Sequence, residues 1–321
     1  MKKVIFGVLA FLVLATSCTK DNVCNKEYPA TTNLITPKVT ALVAEPFSST
    51  SPLTGILEIY PCIEASSIYY GNYVNGKLTS LNGYYSITNG HITNNNTREL
   101  SLPMNTYNMV YWGTPQYNSP TYSSPAIVEP GVSIRADLTT LYFKLRSNND
   151  ETYRPVFDLV YAINKVNVGE EDLNASLVRV VSGIKVTVRQ KGNNIFSPNI
   201  TAMEARIGGI AEQINLYTAE PENMTKTVKF DLTRSEDNTE MSNNIAMVFP
   251  SSPKPLFELY ITLKDGSVHK LSQNIESTLL PNTRLTLNII IGEIHAGGSQ
   301  GNFSIENWNE ANETIEFPMV D

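Results

Sequence analysis

Beyond residue 38 apolar side chains recur at every second position, and that period restricts the chain to strands. Leu141, Phe143 and Leu145 alternate with Tyr142, Lys144 and Arg146; Ile184, Val186 and Val188 alternate with Lys185, Thr187 and Arg189. The same holds for Phe257, Leu259, Ile261 and Leu263, and for Leu285, Leu287, Ile289 and Ile291. Successive Cβ atoms of a strand point to opposite faces, so each pattern buries one face and wets the other, as antiparallel sandwich strands do. Turn chemistry fills the gaps. Asp265-Gly266 predicts a hairpin between 257–264 and 267–272, and Asn75-Gly76, Asn82-Gly83 and Asn89-Gly90 predict a meander of short strands over 67–93. Met203–Ala211 carries a weak helical pattern that predicts no more than a short turn. The expected fold class is all-β. Pro155–Val168 predicts one or two strands, the charged Gly169–Asn174 a turn, and Leu177–Arg189 a fresh long strand. The expectation is therefore two tandem antiparallel β-sandwich domains, 37–172 and 173–321, each of ordinary sandwich size.

The N-terminus follows a different logic. Lys2 and Lys3 precede Val4–Ala15, twelve residues without charge. As a helix they would reach about 18 Å, short of the roughly 30 Å hydrocarbon core. That suits the apolar region of a signal peptide, 1–17, better than a membrane span. Ala15-Thr16-Ser17-Cys18 then resembles the lipobox of bacterial lipoproteins. Small side chains let a peptidase approach the bond, and the free thiol of Cys18 accepts a diacylglyceryl group. Two or more acyl chains anchor stably where one does not. Residues 18–36 are polar and aperiodic, a tether between membrane and fold.

Charge and cysteine content narrow the function classes. Removing Lys2 and Lys3 with the leader leaves 22 basic against 31 acidic residues, a net charge of −9. With no basic block, that argues against nucleic acid as a partner. With Cys18 lipidated, Cys24 and Cys62 are left as an even pair in an oxidising compartment. A bridge would close a loop with 37 residues between the two and stabilise by about 4 kcal/mol in the chain-entropy treatment. The alternative is two free thiols, one in the tether and one buried.

No catalytic constellation stands out. His91, His269 and His295 are far apart and lack a second ligand at i+2 or i+4, so no zinc signature is present. There is no G-x-S-x-G elbow, phosphate loop or dinucleotide fingerprint. Glu170-Glu171-Asp172 and Glu220/Glu222 fall in apparent turns, as solvated acids do. The expectation is a non-enzyme with no metal and no cofactor.

Two segments could contact something. Tyr107–Tyr122 gathers Tyr107, Tyr111, Trp112, Tyr117 and Tyr122 around Pro115 and Pro120. In an exposed loop Tyr111, Trp112 and Tyr117 would stack on sugar faces; in a strand they would pack the first sandwich. The tail Glu313–Val320 predicts a short strand stopped by Pro318, with Ile315 and Phe317 on one face. It either finishes its own sheet or is offered to a neighbouring subunit.

The chain resembles the fimbrillin superfamily of Bacteroides-type fimbrial lipoproteins, in particular the FimB-like anchor and accessory subunits. The likeness rests on the lipobox at Cys18, Leu102-Pro103 with Thr106–Val110, Asp158–Tyr161, Val178–Val188, Leu280–Arg284 leading into Leu285–Ile291, and Phe303–Trp308. It implies two transthyretin-like sandwiches, other fimbrial subunits as partners, a lipid anchor in the outer membrane at the cell surface, and no cofactor. It also implies assembly by donor-strand exchange, with Ile315 and Phe317 as candidate donor anchors. In fimbrillins an Arg- or Lys-directed protease removes the first strand, here Val39–Glu45. Residues 46–57 contain no Arg or Lys, and the first basic residue beyond is Lys77. That departure favours an anchor or accessory subunit that keeps its first strand. The rival from another class is a surface glycan-binding lipoprotein serving polysaccharide uptake, supported by the aromatic segment alone.

Overall fold

The computed structural model describes residues 33–44, 50–115, 127–129, 131–292 and 313–316. The fold is all-β, and its only helical turns among the described residues are short 3-10 pieces at Leu138–Thr140 and Lys191–Asn193. Two large sheets dominate. Among the described residues sheet I has eight strands, in the order Thr50–Pro52, Val39–Ala44, Leu173–Arg179, Val160–Val168, Asn105–Pro115, Gly55–Ile63, Gly83–Thr88, His91–Arg98. The main path of sheet II runs Ile127–Glu129, Tyr142–Lys144, Ile200–Asn215, Pro221–Arg234, Glu240–Ser242, Ser182–Gln190, Thr283–Ile291, Glu313–Glu316. Leu256–Leu263 pairs with Ile200–Asn215 and carries Val268–Asn274, while Ala246–Val248 lies beside Ser182–Gln190.

The clean alternations behave as expected. Phe257, Leu259, Ile261 and Leu263 are buried, as are Leu285, Leu287, Ile289 and Ile291. Leu256–Leu263 and Val268–Asn274 form an antiparallel hairpin around Asp265-Gly266. The Asp265 carboxylate accepts from Ser267 N and Oγ, which holds its pKa below the usual carboxylate range, and Gly266 supplies the positive φ. Asn75-Gly76 and Asn89-Gly90 turn hairpins as well, whereas Asn82-Gly83 opens a strand.

Three expectations change. Met203–Ala211 is not a turn but the middle of the 16-residue strand Ile200–Asn215. Met203, Ala205 and Ile207 face the core while Glu204 and Arg206 pair outside it, and a bulge at Ile207–Ile210 interrupts the register. The single strand expected over 177–189 is two, Leu173–Arg179 and Ser182–Gln190. Between them, at Val180-Val181, the chain passes from sheet I to sheet II. The sheets are accordingly not divided at residue 172. Leu173–Arg179 belongs with sheet I, and Ile127–Glu129 and Tyr142–Lys144 belong with sheet II.

The centre of sheet I is Asn105–Pro115, paired antiparallel on both sides with Gly55–Ile63 and Val160–Val168. Both of its faces are covered. Tyr107, Met109 and Tyr111 fill one core, and Val110 and Trp112 face the other. This second core is continuous from Tyr60, Cys62 and Tyr161 of sheet I into the inner residues of sheet II. At Gly113 a Cβ would lie 2.5 Å from Val160 Cγ2, so the strands approach there only because the residue has no side chain.

Candidate assembly surface

The first strand is the element that the fimbrial resemblance singles out, and it is built into the sheet rather than laid on its edge. Val39, Ala41 and Val43 alternate inward, opposite Leu173, Ala175 and Leu177 of a parallel neighbour, and all six are buried. On the other side Leu42–Ala44 pairs antiparallel with Thr50–Pro52. Leu173 N donates to Lys38 O at 2.8 Å and Leu53 N to Ala41 O at 3.2 Å. Burying the two valines alone is worth roughly 3–6 kcal/mol, so the strand belongs to the stability of the sheet. The sequence holds Lys38 just before it and then no Arg or Lys until Lys77.

The tail takes part in sheet II. Glu313–Glu316 lies antiparallel to Thr283–Thr286, with Ile315 opposite Arg284. Phe317 lies outside the described residues. The bounds of the first strand are Val39–Ala44; Glu45 falls outside the described residues.

Two of the candidate sugar contacts, Tyr111 and Trp112, are not at the surface. Tyr111 is 0% and Trp112 2% exposed. Trp112 Nε1 donates to Leu216 O at 2.9 Å, and its ring lies 4.7 Å from Phe143 and 5.0 Å from Tyr161, centroid to centroid. Burial pushes the Tyr111 hydroxyl well above its ordinary pKa. These two aromatics are core anchors, and they cannot stack on a ligand. Tyr117 lies outside the described residues. The strand 105–115 buries its aromatics because both sides already have hydrogen-bonded neighbours and both faces have partner layers.

Around Trp112 is a junction that periodicity could not reveal. The turn after Ile200–Asn215 is shaped by Asn215 Oδ1, which accepts from Tyr217 N and Thr218 N at 2.9 and 3.1 Å. The turn reaches into sheet I. Tyr217 Oη donates to Ser66 O at 3.2 Å, Asn108 Nδ2 reaches Ser66 O and Tyr217 Oη at 3.1 Å each, and Tyr161 Oη donates to Tyr217 O. Nearby, Asp137 accepts from Ser67 Oγ and from Thr139, which holds its carboxyl below the usual range. At the passage between sheets, Arg179 Nε sits 3.1 Å from Asp158 Oδ2, with side chains only 5% and 3% exposed. The one sequence signal for this pair was a charged residue flanking each of two apolar runs.

Cys18 and Cys24 lie outside the described residues. Cys62 is buried, and desolvation pushes its thiol up to about 12, with the Asp137 charge adding to the shift. Among the described residues no three His, Cys, Asp or Glu side chains gather as a metal site would need, and no helix is long and apolar enough to cross a membrane.

Residues 23–314 match the family of fimbrillin-A associated anchor proteins Mfa1 and Mfa2, and the chain belongs to that family. Solved structures with a similar fold include a candidate adhesin from Bacteroides ovatus, at 9% identity and TM-score 0.54, over 88% of this chain and 96% of that one. A candidate polysaccharide-binding protein from Bacteroides thetaiotaomicron is similar at 11% identity and TM-score 0.52, over 88% and 99% of the two chains. A candidate cell adhesion protein from Bacteroides ovatus follows at 13% identity and TM-score 0.50, over 89% and 99%. No curated protein matches the sequence. The family is one of fimbrial anchor proteins.

Proposed function

We propose that this chain is a lipid-anchored fimbrial subunit of the anchor or accessory type, cleaved before Cys18, held in the outer membrane, and joined to other fimbrial subunits by strand exchange. The observation that carries the reading is the first strand. Val39–Ala44 is built into sheet I between Thr50–Pro52 and Leu173–Arg179, and no basic residue follows it until Lys77. A subunit of this design keeps its own strand and its tether, so it offers no empty groove to an incoming donor and ends a polymer instead of extending it. In an exchange, the tail would leave its ladder with Thr283–Thr286 and offer Ile315 and Phe317 to a neighbour.

The test is the mature N-terminus. Protein isolated from its native envelope should yield an acylated peptide beginning at Cys18, and Cys18→Ser should abolish palmitate labelling and release the chain from the membrane. Treatment of the folded protein with an Arg- and Lys-directed protease should leave Val39–Ala44 attached. An unmodified N-terminus, or one lying beyond Ala44, would refute the reading.

A further inference from the structure

Among the ladders joining the described strands two are parallel, and they involve the first long strand and the last. Val39–Ala44 runs parallel to Leu173–Arg179 through five register pairs, from Val39 opposite Leu173 to Val43 opposite Leu177. Only Val180 and Val181 separate that neighbour from Ser182–Gln190. Ser182–Gln190 in turn runs parallel to Thr283–Ile291 through eight register pairs, from Gly183 opposite Arg284 to Gln190 opposite Ile291. Segment 173–190 is therefore a spine. The strand that enters the fold lies along its first half, and the strand that leads to the C-terminal tail lies along its second half.

We propose that the chain has a mechanical function, transmitting tension from its N-terminal tether to its C-terminal side through two ladders that are loaded in shear. This rests on the reading of the N-terminus as a membrane tether; the geometry itself does not. Tension enters Val39–Ala44 at its N-terminal end and leaves Leu173–Arg179 at its C-terminal end. Two parallel strands pulled this way are drawn lengthwise past each other, and their evenly spaced, slanted hydrogen bonds are strained together. Pulled apart from the same end, the same strands would open one bond at a time. Sliding also meets packing, because a step along the strand drags Val39, Ala41 and Val43 across the buried row of Leu173, Ala175 and Leu177. The second ladder repeats the arrangement with Ile184, Val186 and Val188 against Leu285, Leu287 and Ile289, all buried. An antiparallel partner at either place would be unzipped by the same pull.

Forced unfolding is governed by the unfolding rate along the direction of pull, so two attachment geometries on one protein separate the proposal from ordinary stability. The full mature chain carries Cys18→Ser and Cys24→Ser and is held at its N-terminus. The second attachment is Lys191→Cys, exposed just past the far end of the spine, or Glu170→Cys, exposed three residues before its near end at Leu173. Buried Cys62 stays unreactive in both. Single-molecule pulling should need a severalfold higher force to release Val39–Ala44 through residue 191 than through residue 170, while urea midpoints stay equal. Equal forces, or a lower force through residue 191, would overturn the proposal. Such a result would leave the lipid-anchor reading intact, and a missing lipid would leave the pulling result intact.

Discussion

The Asp158–Arg179 pair sets a measurable cost on the passage between the two sheets. Asp158→Ala removes the carboxylate that lies 3.1 Å from a guanidinium only 5% exposed. Breaking a buried pair on one side typically costs about 3–5 kcal/mol, because the remaining charge keeps its desolvation penalty and loses its compensation. For a chain of this length the corresponding fall in Tm is roughly 5–10 °C. Replacing both members, as Asp158→Leu with Arg179→Met, removes the penalty with the charge, and such swaps are often close to neutral. Equilibrium urea unfolding, followed by Trp fluorescence and far-UV circular dichroism, gives the three values of the cycle. The single variants should each be far worse than the pair, leaving a large coupling energy. A single-variant cost below about 1 kcal/mol, the range of an exposed pair, would show that the two groups are solvated. A double variant as unstable as the sum of the singles would show that the charges do not act on each other.

Two further outcomes follow from titration and burial. In a Cys24→Ser chain, Cys62 should resist a thiol reagent at pH 8 in the native state and react at once in urea, because burial holds its thiol near 12; equal reactivity in both states would refute that burial. Asp150, bonded to Lys229 Nζ at 2.6 Å and to Thr152, has its carboxyl held well below the usual range. A depressed folded-state pKa stabilises above the unfolded value of about 3.9 and loses that contribution as pH falls below it. The parent should therefore exceed Asp150→Asn in urea midpoint at pH 6, by less in high salt, and the gap should begin to narrow as pH falls below about 4; a gap independent of pH would contradict the ion pair.

Strands with one wet face were legible, since alternation survives wherever polar residues mark the outside, as in 256–263 and 283–291. Where both faces are buried the mark disappears. Tyr107–Gly113 is an almost unbroken apolar run, and nothing in it separates an exposed aromatic loop from a central strand. Met203–Ala211 misled through local propensity: Met, Glu, Ala and Arg favour helices, and the ladders on both sides override them. The change of sheet at Val180-Val181 left no turn residue to find. The junction at Tyr217, Asn108 and Ser66, and the parallel pairing of the first strand, join positions a hundred residues or so apart. Such partnerships are set by the whole fold, and a single sequence does not encode them locally.

The same parallel pairing orders events during folding. Leu173 lies 134 positions after Val39, so the first strand is synthesised long before its partner. Hairpins such as 256–263 with 268–274 close locally and early, whereas this contact carries the loop-closure entropy of nearly half the chain. Until residue 177 emerges, Val39, Ala41 and Val43 lack the buried row that covers them in the folded sheet. In that interval the segment is open to aggregation and to chaperones. The rate at which this molecule matures is thus tied to the arrival of its second third, and slowing chain elongation before residue 173 should lengthen the lifetime of the vulnerable species.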